Sequence, residues 1–317
     1  MEFEFDTMTK LESKLSVSVY GPAGSGKTTA AFKLAMGIRD QLYPGKSLTD
    51  IGLFIDTERK SSSKSVGRSV GGEALEAMEV YHFEAPFDIY KYAELVEYAV
   101  SKGKKIIITD SFTPFWSGTN GILENVAELE VSLAGAKKAY GAWSEKAIIA
   151  KKNLLKSVVS NSNAHMIFCY RAKTDYDISK NDKGRTVISV IGVKEDMQGD
   201  VPYEHDIVFS VARDDHGIRI IKDRLGFAEY RMTRTDSEGP IVISDGKELA
   251  KIVSEGISLE EVRARKKSKL IHFILDEKAH KSSKVGLLEK AKNLDLTETL
   301  LNSMEYETLT KIVEMIK

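Results

Sequence analysis

Short apolar runs alternate with segments of helical periodicity along the first half of the chain. The apolar runs predict strands at residues 15–20, 51–56, 80–84, 105–109 and 165–170. Between these runs, apolar residues recur at helical spacing at residues 28–39, 89–101 and 145–160. Near-continuous apolar strands separated by helices are typical of a parallel sheet with helices on both faces. The pattern therefore predicts an α/β fold.

The pattern changes after residue 171. Closely spaced apolar runs predict consecutive strands at residues 186–194, 206–214 and 217–224. We expect these strands to form a β-meander or a hairpin extension rather than another β-α-β unit. From about residue 244 the periodicity is helical. The chain is therefore predicted to comprise a first domain at residues 1–243 and a small helical C-terminal appendage at residues 244–317.

Composition narrows the class of protein. Hydrophobic residues make up 42% of the chain and charged residues 29%, which is typical of a soluble globular protein. The net charge of −1 gives no global attraction to nucleic acid or membrane, although local patches can still bind either. The single cysteine, Cys169, excludes an internal disulfide. Without a signal-peptide core or an apolar run of transmembrane length, the chain is predicted to be cytoplasmic and not membrane-bound.

The motif GPAGSGKT at residues 21–28 fits the phosphate-binding pattern G-x-x-x-x-G-K-[ST], between a predicted strand and a predicted helix. Its glycines allow backbone N–H groups to approach a phosphate, and the helix adds its positive dipole end. Lys27 is predicted to act on the β- and γ-phosphates of ATP, and the Thr28 hydroxyl to bind Mg²⁺. The predicted nucleotide-binding residues are Gly21, Pro22, Ala23, Gly24, Ser25, Gly26, Lys27, Thr28 and Thr29.

Two carboxylates follow predicted strands at the edge where α/β proteins bind ligands. Asp110 ends the run KKIIITD and is predicted to hold Mg²⁺, with an ordinary turn residue as the alternative. Glu58 lies in FIDTER, after the second strand, and is predicted to orient or deprotonate the attacking water. The alternative for Glu58 is a solvated loop carboxylate. Together with the phosphate loop, these positions favour an ATPase.

These segments resemble a known family. GPAGSGKTT, FID-x-E and an apolar strand ending in Asp-Ser look like the core of RecA-type ATPases. The resemblance implies a RecA-like P-loop NTPase core with a mostly parallel sheet. In this family the matching positions make Glu58 the catalytic glutamate and Asp110 the magnesium carboxylate.

Later segments are similar to phage RecA-like ATPases of the Sak type, part of a broader group of phage AAA-type nucleotide-binding proteins. These segments are YGAWSEKA (140–147), HMIFCYRAK (165–173), YEHDIVF (203–209) and KDRLG (222–226). The resemblance covers about residues 14–230. It implies an ATPase that handles single-stranded DNA during phage recombination or replication in the host cytoplasm. A phage annealing or single-strand-binding protein would be a further partner.

Three cations are candidates for sensing or stabilising the transferred phosphoryl group. Lys222 and Arg224, in the sequence KDR, resemble the basic tip that RecA-like subunits insert into a neighbour's ATP site. Such a cation links hydrolysis to assembly of a homo-oligomer or filament. Arg171, directly after the fifth strand, is predicted to sense the γ-phosphate. The alternatives are a solvated strand end for the KDR pair and a structural salt bridge for Arg171.

Three basic segments are candidates for contact with single-stranded DNA, since cations neutralise phosphates and aromatic rings stack on bases. The first surrounds Tyr140 and Trp143, with lysines at 137, 138, 146, 151, 152 and 156. The others are RARKKSK at 263–269 and SKNDKGR at 179–185. Solvated helix faces, and a core position for Trp143, are the alternatives.

Two other functions use the same phosphate loop. A nucleotide-controlled switch or loader would use ATP to regulate binding to a protein partner, and the helical appendage would suit that role. A P-loop small-molecule kinase would place arginines over the phosphates, and Arg59 and Arg68 are the residues available for such a lid.

Overall fold

The computed structural model describes residues 10–58, 67–70, 73–132, 138–160, 162–180, 186–256, 259–279, 285–286, 288–289 and 295–316. Its strands are β1 Ser16–Gly21, β2 Gly52–Asp56, β3 Ser69–Val70, β4 Glu73–Ala74, β5 Glu79–His82, β6 Ile106–Asp110, β7 His165–Lys180, β8 Thr186–Glu195, β9 Ile207–Val211 and β10 Ile218–Asp223. Its α-helices are α1 Lys27–Leu42, α2 Leu48–Ile51, α3 Ile89–Ser101, α4 Pro114–Ser117, α5 Ile122–Ser132, α6 Lys138–Ser144, α7 Lys146–Ser160, α8 Phe227–Met232, α9 Ile243–Ser254, α10 Leu259–Ala279, α11 Glu298–Ser303 and α12 Tyr306–Ile316. A short 3-10 helix covers Val201–Tyr203.

The main sheet has 8 strands, in the order β10-β9-β1-β7-β6-β2-β5, with β8 paired to β7 outside this path. Neighbours from β9 to β5 run parallel, and β10 runs antiparallel to β9. The predicted α/β class with a mostly parallel sheet is therefore confirmed. The carboxyl ends of β1, β2 and β6 consequently lie at one edge, where the phosphate loop and both predicted carboxylates are found.

The strands after residue 171 pair differently from a β-meander. β7 continues beyond its predicted end, and its second half forms an antiparallel hairpin with β8, from Ala172↔Glu195 to Lys180↔Thr186. The hairpin extension is therefore confirmed. The meander is wrong, because β9 pairs with β1 in the parallel direction. The physical reason is burial: the β9 sequence IVFSV is almost entirely buried, and so it takes an interior position in the sheet.

Alternate residues of each central strand pack on opposite faces of the sheet, as strand geometry requires. On one face, Val17 and Val19 of β1 belong to a core that includes α1, α8 and α9. On the other face, Tyr20 belongs to a core that includes α3, α5 and α7. Helices thus cover both faces. This double cover explains why the central strands read as continuous apolar runs in the sequence.

The described residues separate into two compact units. The larger is Lys14–Val253, and it contains both cores of the sheet. The smaller joins the described parts of 1–13 and 254–317, and its own core is formed by apolar residues of α10, α11 and α12. α9, which the sequence analysis assigned to the appendage, packs Leu249, Ala250 and Val253 into the core of the larger unit. Among the described helices, none combines the length and apolar character needed to cross a membrane.

Candidate active site

The loop between β1 and α1 depends on glycine at two positions. Gly26 is the N-cap residue of α1. Its φ of 89° is a left-handed conformation that other residues rarely tolerate. At Gly21, a Cβ atom would lie 2.5 Å from the backbone oxygen of Val211. No side chain in the described part of the chain caps the first-turn N–H groups of α1, so these groups are available to an anion.

Lys27 folds back over this loop. Its Nζ atom donates to the backbone oxygens of Gly21 at 3.0 Å and Pro22 at 2.9 Å. The ammonium group is thus held beside the glycines that shape the loop. This is the position from which a lysine can bind phosphate oxygens placed in the loop.

Thr28 and Asp110 meet at the carboxyl ends of β1 and β6. The Thr28 hydroxyl donates to Oδ2 of Asp110 at 2.5 Å. Burial raises the pKa of Asp110 to about 6, although the hydrogen bond from Thr28 lowers it and the nearby charge of Glu58 raises it. Asp110 as a whole residue is only 2% exposed. A buried acid beside a hydroxyl is a favourable place for a cation, which would stabilise the ionised form.

These two oxygen donors fit Mg²⁺. Magnesium prefers hard oxygen ligands and is usually held by one or two carboxylates together with waters and substrate phosphates. Among the described residues, no cluster of three or more His, Cys, Asp or Glu side chains could form an all-protein metal site. Thr28 and Asp110 are therefore suited to a magnesium ion that arrives with a nucleotide.

Glu58 and Arg171 face each other across the same edge of the sheet. The backbone N–H of Glu58 donates to Oδ1 of Asp56 at 2.8 Å, which orders the loop after β2. Arg171 donates from Nε to Oε1 of Glu58 at 3.1 Å, and from its backbone N–H to Oγ1 of Thr113 at 3.0 Å. The side chains of Arg171 and Glu58 are 54% and 34% exposed, so the ion pair is weak enough to open.

A cavity of about 460 Å³ joins these parts. Its lining residues from the sequence predictions are Gly21, Ala23, Gly24, Gly26, Lys27, Thr28, Thr29, Glu58, Asp110 and Arg171. Arg68, the described member of the pair considered for a kinase lid, also lines it. Arg59 lies outside the described residues. The structure thus gathers phosphate-loop, carboxylate and arginine candidates around one cavity.

Lys222 and Arg224 do not reach that cavity. Asp223 pairs with Ile207, and Ile207 pairs with Val17 near the start of β1, whereas the phosphate loop follows the end of β1. Lys222 donates to the backbone oxygens of Pro202 at 3.0 Å, Tyr203 at 2.6 Å and His205 at 2.5 Å. Arg224 donates to the oxygen of Tyr203. Within one chain, these cations lie at the opposite end of the sheet from the phosphate loop.

The basic segments proposed for DNA contact have several internal partners. Trp143 packs against Trp116 with ring centroids 6.0 Å apart, and Lys152 lies 5.4 Å from the centre of the Trp143 ring. Lys151 donates to Asn125 at 2.6 Å, and Lys156 pairs with Asp200. Trp143 is therefore at least partly a packing residue. Residue 137 and residues 181–185 of the hairpin segment lie outside the described residues.

Three further residues were not predicted as site residues. Lys33 on α1 is only 4% exposed. His216 hydrogen-bonds through Nδ1 to the backbone oxygen of Ser25 at 2.9 Å. Glu195 is buried at the base of the hairpin and hydrogen-bonds with Ser18 of β1. The surroundings of each come from parts of the chain distant in sequence. Only Lys33, between Phe32 and Leu34, has apolar neighbours that could have signalled it.

Comparison with protein-family models identifies a family that this chain matches. A family described as AAA domain matches residues 13–238, which include β1, the phosphate loop, the strands of the main sheet and α8. A search of curated proteins found no match.

Proposed function

The chain belongs to the AAA domain family of P-loop NTPases, and we propose that it is an ATPase that acts on single-stranded DNA in phage recombination or replication. The general activity, nucleotide hydrolysis by a P-loop ATPase, follows from family membership. The DNA substrate is the finer part of the proposal, and it rests on the path of β7.

β7 connects the phosphate cavity to the hairpin. Arg171 pairs in register with Gly21, the first residue of the phosphate loop, and its side chain contacts Glu58. From the next residue onward, β7 pairs with β8 instead of the main sheet. A strand of DNA bound to this hairpin would therefore act on a chain segment that contacts the candidate catalytic glutamate. This direct connection is the observation that carries the proposal.

In this proposal the residues have separate tasks. Lys27 and the N–H groups of the loop bind the phosphates, and Glu58 orients the attacking water. Thr28 and Asp110 hold Mg²⁺, which when bound neutralises charge that develops on the phosphate oxygens. Arg171 holds Glu58 in the DNA-free protein and turns toward the γ-phosphate when the hairpin engages DNA. Hydrolysis then depends on DNA because the glutamate is released from its ion pair.

The test is steady-state ATP hydrolysis without DNA, with single-stranded DNA and with duplex DNA. We expect single-stranded DNA alone to raise the rate at least about tenfold. Glu58→Gln should abolish hydrolysis in all three conditions while ATP affinity persists, because the phosphate loop is unchanged. Glu84→Gln is the matched control, since Glu84 is exposed after β5 and does not line the phosphate cavity.

Each part of the proposal can fail separately. An unchanged rate with single-stranded DNA would contradict the DNA substrate and favour a switch controlled by a protein partner. Normal hydrolysis by Glu58→Gln would contradict the catalytic role of the glutamate. Equal stimulation by duplex and single-stranded DNA would contradict the preference for single strands.

A further inference from the structure

A second cavity of about 230 Å³ adjoins the phosphate cavity. Gly26, Thr29 and Arg68 line both cavities, so they share a boundary at the start of α1. The residues that line the second cavity alone are Ser25, Ala30, Lys33, Val211, His216, Pro240 and Ile241. A ligand with phosphates in the loop would therefore extend naturally into this space.

The second cavity is lined by a lysine, Lys33, that has no partner among the described residues. Lys33 lies one helical turn beyond Thr29, on the same face of α1, and is only 4% exposed. Within the part of the chain that the structure describes, its ammonium group has no hydrogen-bond or ion-pair partner. Its neighbours cover the aliphatic part of the side chain, while the ammonium group stays accessible from the cavity. An acceptor on a ligand in this cavity can therefore bind the ammonium group.

Two other groups give the cavity a polar and an aromatic side. Oγ of Ser25 is buried and has no hydrogen-bond partner among the residues that the structure describes. The imidazole of His216 is held over the loop by its bond to Ser25 and would lie 3.2 Å from a Cβ atom at Gly26. Val211, Pro240 and Ile241 supply apolar walls. A flat heterocycle with hydrogen-bond acceptors on its edge matches this combination.

We propose that the second cavity binds the nucleobase of the nucleoside triphosphate, with Lys33 donating to an acceptor on the base edge and His216 contacting the face of the ring. This inference rests on the proposed function, because it requires the phosphates to occupy the adjacent loop. It makes Lys33 and His216 determinants of nucleotide specificity. Neither residue would take part in the chemical step.

The experiment compares a ligand that has a base with one that lacks it. Calorimetric titration with Mg²⁺ present would measure binding of ATP and of inorganic tripolyphosphate to the full chain. We expect Lys33→Met to weaken ATP binding about tenfold and leave tripolyphosphate binding within about twofold, because only ATP loses a hydrogen bond. His216→Asn should show the same selectivity, and asparagine tolerates the positive φ of 57° at this position.

Two controls separate this inference from a structural effect. The Tm of nucleotide-free Lys33→Met should stay close to that of the wild type, because methionine keeps the buried aliphatic part of the side chain. Lys27→Met should weaken both ligands, since both use the phosphate loop. Equal weakening of both ligands by Lys33→Met, or no weakening of ATP, would overturn the base site. Unchanged binding of both ligands to Lys27→Met would overturn the phosphate site, and the base site with it.

Discussion

At the scale of single residues, two buried titratable groups, Glu195 and His205, hydrogen-bond with serine side chains of β1. Burial raises the pKa of Glu195 to about 7, even though a hydrogen bond with Ser18 lowers it. His205 is fully buried between Ser16, at 3.0 Å from Nδ1, and Tyr170, at 2.8 Å from Nε2. Burial lowers the pKa of His205 to about 3. Burial thus favours the neutral form of both groups in the folded protein.

Glu195→Gln should change how stability depends on pH. Between the ordinary value of 4.5 and the folded value of about 7, the folded protein keeps a proton on Glu195 that the unfolded chain has released. The stabilisation of the folded protein by this retained proton is therefore complete below pH 4.5 and is lost as the pH rises through 7. Glutamine does not titrate. The free energy of unfolding of the variant, relative to that of the wild type, should therefore rise by roughly 2–3 kcal/mol between about pH 5 and pH 8.

Denaturant unfolding of both proteins at several pH values measures this gain. His205 titrates in both proteins, and its contribution cancels in the difference. Glu97→Gln, on the exposed face of α3, is the control and should show a difference that does not vary with pH. A constant offset for Glu195→Gln across the range would contradict a raised pKa for the carboxyl group.

The positions of residues that follow a recognisable strand could be predicted from the local sequence. The phosphate loop, Asp110 and Glu58 each follow a strand that is recognisable from its own apolar run, and the structure brings all of them to one cavity. Lys33 lies between Phe32 and Leu34, so its position on α1 is readable from the sequence. That Lys33 has no partner among the described residues cannot be predicted from the sequence. The cavity around it is formed by β9, His216 and residues 240–241. These walls come from distant parts of the chain.

At the scale of elements, the backbones of α1 and α9 approach closely through two glycines. A Cβ atom at Gly37 would lie 2.1 Å from the backbone oxygen of Ile243, and one at Gly246 would lie 2.4 Å from that of Leu34. Neither neighbour can move without shifting a helix, since both are backbone atoms. This contact fixes α9 against the helix that follows the phosphate loop.

Gly37→Ala should therefore destabilise the protein. In a free helix the change is favourable by about 1 kcal/mol, but overpacking against backbone costs roughly 1–3 kcal/mol or more. We expect a net loss of about 2 kcal/mol in the free energy of unfolding, measured by denaturant titration. Gly199→Ala is the matched control, because a Cβ atom there meets nothing within 4 Å. A Gly37→Ala protein at least as stable as the wild type would show that α9 is free to move away.

The elements themselves were largely predictable, whereas their partners were less so. α3 begins and ends where the helical periodicity predicts, at Ile89 and Ser101. β9 was identified as a strand, but its position beside β1 was not. Apolar periodicity reports whether a strand is buried, and two apolar strands close in sequence are equally consistent with a hairpin or with separate positions in a sheet. Pairing is decided by packing across the whole sheet.

At the scale of the whole molecule, the main sheet has chemically different ends. The phosphate cavity lies at the carboxyl end of β1, while Lys222 and Arg224 lie near its beginning, against the backbone oxygens of residues 202–205. Six residues of extended strand span roughly 20 Å, which is far beyond the reach of an arginine side chain. If these cations act on a nucleotide, the nucleotide must be bound by a second subunit.

Mixing two inactive variants tests this arrangement. Arg224→Ala should bind ATP normally but hydrolyse it at least about a hundredfold more slowly, because the charge on the transferred phosphoryl group loses its cation. Lys27→Ala should be inactive in its own site while it still presents an intact Arg224 to a neighbour. Combining them should restore activity, and a Lys27→Ala/Arg224→Ala double variant should not. If the mixture stays inactive although both proteins assemble, the cation does not act across subunits.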